Sequence, residues 1–301
     1  MNKGLWYAAG AYIIWGFFPI YWKWLVAVPA LQLISHRMLW SFVILFTLVL
    51  ATRQWQSFRQ EISKPGILRI YAIAGVLNAF NWLVYVWAVN AGFIVETSLG
   101  YFINPLLSVL MGVIFLRERL RPWQWLPVGL AAVGVLYLTM VYGSLPWIAL
   151  TLAFTFGTYG LVKKKAPLSS HYGLTLETGI MFTPVLLYLI YADASGQGAF
   201  LHTDLISNLL MMGAGVVTAV PLLFFAAAAR RIPLTMIGIM QYIAPTLQFL
   251  IGIWVYGEPF TQSQFIGFGI VWIALIIFAV EGILAFRARL TLVPVEIEPQ
   301  A

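Results

Sequence analysis

The sequence predicts an all-α membrane protein of ten transmembrane helices arranged as two inverted five-helix repeats. Three observations predict it: apolar runs of spanning length recur along the chain, basic residues crowd onto alternate connections, and the sequence matches itself at an offset of 140 residues.

Of 301 residues, 62% are hydrophobic and 9% charged, against about 45–50% and about 25% in a soluble globular domain. A helix rises about 1.5 Å per residue, so about 20 apolar residues cross the hydrocarbon core. Runs of that size fall at about 4–26, 31–51, 70–89, 95–116, 123–142, 145–162, 174–192, 205–229, 235–256 and 263–286. The polar gaps at 52–66 and 193–204 and the tail from 289 are too short to build a core of their own. The first run follows Lys3, is rich in bulky aromatics and lacks a small-residue cleavage site, so it reads as a retained helix rather than a signal peptide. Cysteine is absent, which excludes disulfides, thiolate ligation and thiol catalysis.

The net charge of +7 is distributed by topology. Lys3; Arg53, Arg59, Lys64 and Arg69; Arg117, Arg119 and Arg121; Lys163, Lys164 and Lys165; Arg230 and Arg231; and Arg287 and Arg289 occupy alternate connections, fifteen of the 17 basic residues. The other connections carry acids such as Asp193, Asp204 and Glu258. The positive-inside rule then gives an even number of spans, both termini in the cytoplasm and an inner-membrane location. No connection is long enough to form a nucleic-acid patch, so nucleic acid is not an expected partner.

At the offset of 140, Ala74, Gly75 and Val76 meet Ala214, Gly215 and Val216. Ile103, Pro105, Leu107, Leu110 and Gly112 meet Ile243, Pro245, Leu247, Leu250 and Gly252, and Glu118, Gln124 and Gly129 meet Glu258, Gln264 and Gly269. Matches that include Pro, Gly, Glu and Gln mark a duplication rather than shared hydrophobicity. The halves are 1–142 and 143–287, followed by a cytoplasmic tail, 288–301. Five spans per half is an odd number, so the second half is inverted. Inverted repeats are characteristic of secondary transporters, whose substrate site lies near the midplane between the halves.

Pro105 and Pro245 fall mid-span and free the carbonyls of Tyr101 and Gln241, which makes both prolines hinge or kink candidates. Ser98, Tyr101, Pro105, Ser108 and Gly112 share one helix face, and Gly238, Gln241, Pro245, Gln248 and Gly252 repeat it. Such faces serve either close helix packing or a cavity wall. The polarity of Asn104, Gln241, Tyr242 and Gln248 favours the cavity. Asn78, Asn81, Trp82 and Tyr85 form a polar and aromatic face in the third span, and Tyr12, Trp15, Pro19 and Trp22 a stripe in the first. Aromatics suit flat or cationic solutes, and they also form interfacial belts; Trp15 and Trp82 lie too deep for the belt.

Two basic residues, Lys23 and Arg37, escape the cytoplasmic side. Lys23 can snorkel to the interface, whereas Arg37 lies deeper and is read as a substrate contact or part of a buried ion pair, with Glu96 as a partner at similar depth. Glu177 aligns with Arg37 at the repeat offset, and Glu96 and Glu177 are the coupling candidates. Glu118 and Glu258 read as helix-end anchors. The substrate-cavity candidates are therefore Trp15, Arg37, Asn78, Asn81, Trp82, Tyr85, Tyr101, Asn104, Gln241, Tyr242 and Gln248.

An enzyme is not expected. His36, His171 and His202 are scattered without metal-ligand spacing, both aspartates share one outer connection, and neither a nucleophile elbow nor a P-loop occurs. No metal or other cofactor is implied.

The strings WGFFPIYWK at 15–23, SHRMLWS at 35–41, NWLVYVWAVN at 81–90, ETSLGYFINPL at 96–106, YGLVKKK at 159–165, LET at 176–178 and QYIAPT at 241–246 together resemble the EamA-type permeases of the drug/metabolite transporter superfamily. Within them the chain is similar to the RarD group, from about residue 4 to 287. The resemblance implies ten helices in two inverted bundles and a permease whose group name is tied to chloramphenicol sensitivity or resistance. It carries no residue roles over to this chain.

The expected function is a secondary-active transporter, exporting a small metabolite or drug-like solute by alternating access, with that solute and the lipid bilayer as partners. A passive facilitator of amino acids or related metabolites is the alternative. A membrane sensor or assembly factor without transport is a more distant one.

Overall fold

Proline and glycine set where the long apolar runs break and where they touch. In a computed structural model, residues 3–117, 119–141 and 147–291 are described; they are helical with short connections, and no strand occurs among them. The first half holds α1 (Lys3–Gly16), α2 (Phe18–Lys23), α3 (Ala30–Ala51), α4 (Trp55–Ile62), α5 (Ile67–Asn90), α6 (Ile94–Leu116) and α7 (Trp125–Val141), the last entered through a 3-10 turn, Pro122–Gln124. The second holds α8 (Trp147–Lys165), α9 (Ser170–Ala194), α10 (Leu205–Ala229), α11 (Leu234–Met240), α12 (Ile243–Trp254) and α13 (Gln262–Thr291). Seven stretches among the described residues are long and apolar enough to cross a membrane: α3, α5, α6, α7 with its turn, α9, α10, and α11 with α12. Glu118 and the tail from 292 lie outside the described residues.

Two of the expected spans are interrupted, each beside a proline. Pro19 has no amide hydrogen and crowds the carbonyl of Trp15, so the first run turns at Phe17 between α1 and α2. Pro245 acts likewise on Gln241, and the chain turns at Gln241 and Tyr242 between α11 and α12. Pro105 is instead carried inside the continuous α6. The polar gap at 52–66 contains α4, whose Phe58 is buried beside Ile67, Tyr71 and Leu168.

The helices pack in pairs. α6 lies along α8, α7 along α13, α3 along both α9 and α10, α1 along α10 and α12, and α5 along α8 and α9. Close approach depends on glycine. A Cβ on Gly215 would stand 2.6 Å from the carbonyl carbon of Trp40, and one on Gly75 would stand 3.2 Å from the carbonyl oxygen of Glu177. Small residues of this kind let membrane helices meet backbone to backbone, where side-chain burial from water supplies little drive. Large apolar side chains, among them Trp6, Ile114, Phe115, Leu187 and Trp254, point outward, as a surface in contact with lipid requires.

Polar contacts tie both ends of the bundle. At the basic end the Leu168 amide donates to the Tyr71 hydroxyl at 2.9 Å, Arg230 donates to the Leu168 carbonyl, and Lys164 donates to the carbonyls of Ala229 and Ile232, both at 3.0 Å. At the other end Gln32 donates to the Gln197 carbonyl at 2.7 Å and accepts from the Ala199 amide at 2.8 Å. There Glu258 accepts from the amides of Ile94 and Val95 at 3.2 and 2.8 Å, capping the start of α6 as a helix-end anchor. Burial raises the Glu258 carboxyl above the usual range, while those two amides and Lys23 pull it down.

Candidate functional site

Six of the eleven cavity candidates converge. Trp15 of α1, Trp82 and Tyr85 of α5, Tyr101 of α6, Gln241 of the α11–α12 turn and Gln248 of α12 line one cavity, joined by Tyr12, Phe156, Ala244 and Pro245. The void they leave is about 20 Å³, little more than one water molecule needs. In this conformer the rings therefore pack against one another. The rings meet largely edge to face: Trp82 with Tyr85 at 5.4 Å, Tyr85 with Tyr101 at 5.5 Å and Trp15 with Phe156 at 5.6 Å. The carbonyl that Pro19 frees finds its partner here, since Gln248 Nε2 donates to the Trp15 oxygen at 2.9 Å. Two proline-broken helices, one from each half, are thereby joined at the cavity wall.

Arg37 and Asn78 line a second, smaller cavity with Met38, Ser41, Gly75, Glu177, Thr178, Thr218 and Leu222. The Arg37 side chain is wholly buried, with 1% of its surface exposed. Its Nε donates to Thr218 Oγ1 at 2.7 Å, and its guanidinium lies 3.7 Å from the centre of the Trp82 ring. Trp82 is thus a shared wall, stacked on Arg37 and lining the aromatic cavity.

The remaining candidates are placed differently. Asn81 Nδ2 donates to the Leu152 carbonyl at 2.9 Å and to Thr155 Oγ1 at 2.7 Å, so it bridges α5 to α8. Asn104 is buried against Gly157 of α8, and Tyr242 packs at 6.0 Å from Phe102 in a separate apolar cluster; neither lines the two cavities. Pro245 lines the aromatic cavity, whereas Pro105 presents its carbonyl to Gly238 at a helix crossing. Pro105 is therefore not on the wall, because α11 packs against that stretch of α6.

The expected pairing of Arg37 with Glu96 is absent from this conformer. Glu96, in the first turn of α6, makes no ion pair among the described residues. Glu177 is instead held by Lys163 Nζ at 2.5 Å, and the Tyr159 hydroxyl donates to its other oxygen at 3.2 Å. Lys163 reads in the sequence as one of three topological lysines, yet it is buried in this pair. Its spacing of four from Tyr159, on the face that Phe156 also shares, is the signal that marks it. Among the described residues no three His, Asp or Glu side chains converge as metal ligands.

A bundle of long apolar helices around a buried aromatic cavity defines a polytopic membrane protein. A family model for EamA-like transporters matches residues 2–140. The protein named uncharacterized transporter YojE of Bacillus subtilis is 46% identical, over 95% of this chain and 97% of its own length. Protein RarD of Escherichia coli K12 is 43% identical, over 95% and 97%. A solved crystal structure 17% identical superposes with a TM-score of 0.67 over 93% of this chain and 98% of its own, a likeness of fold alone. The chain belongs to the EamA-like transporter family, among its RarD-type permeases.

Proposed function

We propose that this membrane transporter is a secondary-active exporter of a small metabolite or drug-like solute, working by alternating access in the inner membrane with both termini cytoplasmic. Its ten spans are the seven apolar stretches together with α1–α2, α8 and α13. They form two inverted halves, 1–142 and 143–287, followed by the tail 288–301.

The packing supports inverted halves, because exchanging counterparts reproduces it. α6 lies along α8 as α12 lies along α1, and α1 along α10 as α8 along α5. The counterparts α3 and α9, and α7 and α13, lie along each other. Gly75 faces α9 as Gly215 faces α3. Half-exchange of this kind is how inverted repeats give two access states.

The observation that carries the reading is the composition of the aromatic cavity: α1, α5 and α6 meet α8 and α12 around it. A site shared by both halves is exposed to opposite sides as the halves rock. Glu177, on the wall of the Arg37 cavity and tied to Lys163, is the coupling group that the geometry favours over Glu96, which lines neither cavity. The test is solute movement in proteoliposomes with and without a pH gradient. Accumulation driven by the gradient and lost in Glu177→Gln supports proton-coupled export, whereas equilibration without accumulation identifies a facilitator.

A further inference from the structure

The charges buried in the bundle do not cancel among the described residues. Lys163 and Glu177 neutralise one another. Arg37 forms no ion pair among the described residues: its Nε is spent on the neutral Thr218 hydroxyl, and Nη1 and Nη2 have no hydrogen-bond partner there. A guanidinium does not lose its proton in proteins, and a charge held at membrane depth marks a compensating partner or a ligand path. With Nε occupied, the open edge of the fork is its Nη1–Nη2 end. Two parallel N–H bonds there match the two oxygens of a carboxylate.

The neighbouring wall completes the shape of the ligand. Trp82 carries Arg37 on its ring and also lines the aromatic cavity, whose other walls are aromatic rings, two amides and apolar groups. No charged side chain among the described residues lines that cavity. Glu177, the acid on the Arg37 side, is already engaged by Lys163 and Tyr159. An ammonium on the ligand would therefore meet no free carboxylate among the described residues lining these cavities, and Arg37 already occupies one face of Trp82.

Resting on the reading of these cavities as the transport path, we infer that the substrate is a small organic monoanion. Its carboxylate is held by Arg37 Nη1 and Nη2, and its flat apolar body lies among Trp82, Tyr85 and Tyr101. The aromatic cavity opens from its packed form to admit that body.

The test is isothermal titration of the full-length protein in lipid nanodiscs with shape-matched probes: benzoate, 3-phenylpropionate and indole-3-acetate, their neutral amides, and 3-phenylpropylamine. At least one carboxylate binds about tenfold or more tighter than its amide, and the amine binds no better than the amide. Arg37→Gln brings carboxylate affinity down to that of the amide and leaves the amide unchanged, while Arg37→Lys, which keeps charge without the fork, falls between. If Arg37→Gln does not fold, Thr218→Val, which releases Nε from its anchor, lowers carboxylate affinity severalfold and spares the amide. Amides or the amine binding as tightly as the carboxylates, with binding lost in Trp82→Ala, overturns the anion assignment and leaves the cavity standing. Binding that ignores Trp82→Ala, or no binding by any probe, overturns the cavity reading and the assignment together.

Discussion

Lys163 and Glu177 show how a buried pair constrains single residues. Removing one partner leaves an uncompensated charge, which costs about 3–5 kcal/mol, whereas replacing both by apolar groups of similar volume is often neutral. Glu177→Gln should therefore lower the melting temperature in detergent markedly, and Lys163→Met with Glu177→Met should recover most of the loss. Equal destabilisation by the single and double variants would contradict the pairing. Arg37 and Glu177 were legible in the sequence, one by its depth in an apolar run and the other by the repeat offset. Lys163 was hidden in a run of three lysines that topology alone explains. Asn81 and Asn104 were read as cavity polarity because a sequence does not say whether a buried amide faces a void or a neighbouring helix; both face α8.

At the scale of elements, the duplicated proline pattern was legible but its outcome was not. Pro105 and Pro245 align, yet α6 runs on through its proline while the matching span divides into α11 and α12. α6 packs against α8, α11 and α12. The α11–α12 turn borders the cavity, where a freed backbone can face polar groups. Pro245→Ala should reduce transport while leaving the melting temperature unchanged or higher, since a restored helix stiffens the moving wall. Unimpaired transport in that variant would remove the turn from the mechanism. Gly215 gives the complementary test of packing. Its missing Cβ lets α10 sit on the α3 backbone, so Gly215→Leu should destabilise by about 1–3 kcal/mol through overpacking. A melting temperature unchanged from the parent would show that the approach is looser than described. Glu258→Ala should cost about 1 kcal/mol, as loss of a helix cap does, whereas Glu258→Gln should cost less because one oxygen still accepts.

For the whole molecule, the all-helical membrane class followed from composition and the recurrence of apolar runs, and the family from motifs spread along the chain. The short α4 did not, because a polar helix of this length with one buried Phe58 is too short for apolar periodicity to be visible. Orientation can be tested on a chain without native cysteine. Ser195→Cys should react with an impermeant thiol reagent from outside and Ser63→Cys only after permeabilisation, and the reverse pattern would invert the topology. The central claim is that one cavity, shared by both halves, is reached from both sides in turn. Ala244 lines that cavity and is 5% exposed, so the most direct measurement is labelling of Ala244→Cys by the same reagent in right-side-out and inside-out vesicles. Modification is expected from both faces, slower than at Ser195→Cys, and slowed further by a solute that occupies the cavity; modification from one face only, or from neither, would rule out alternating access to this cavity.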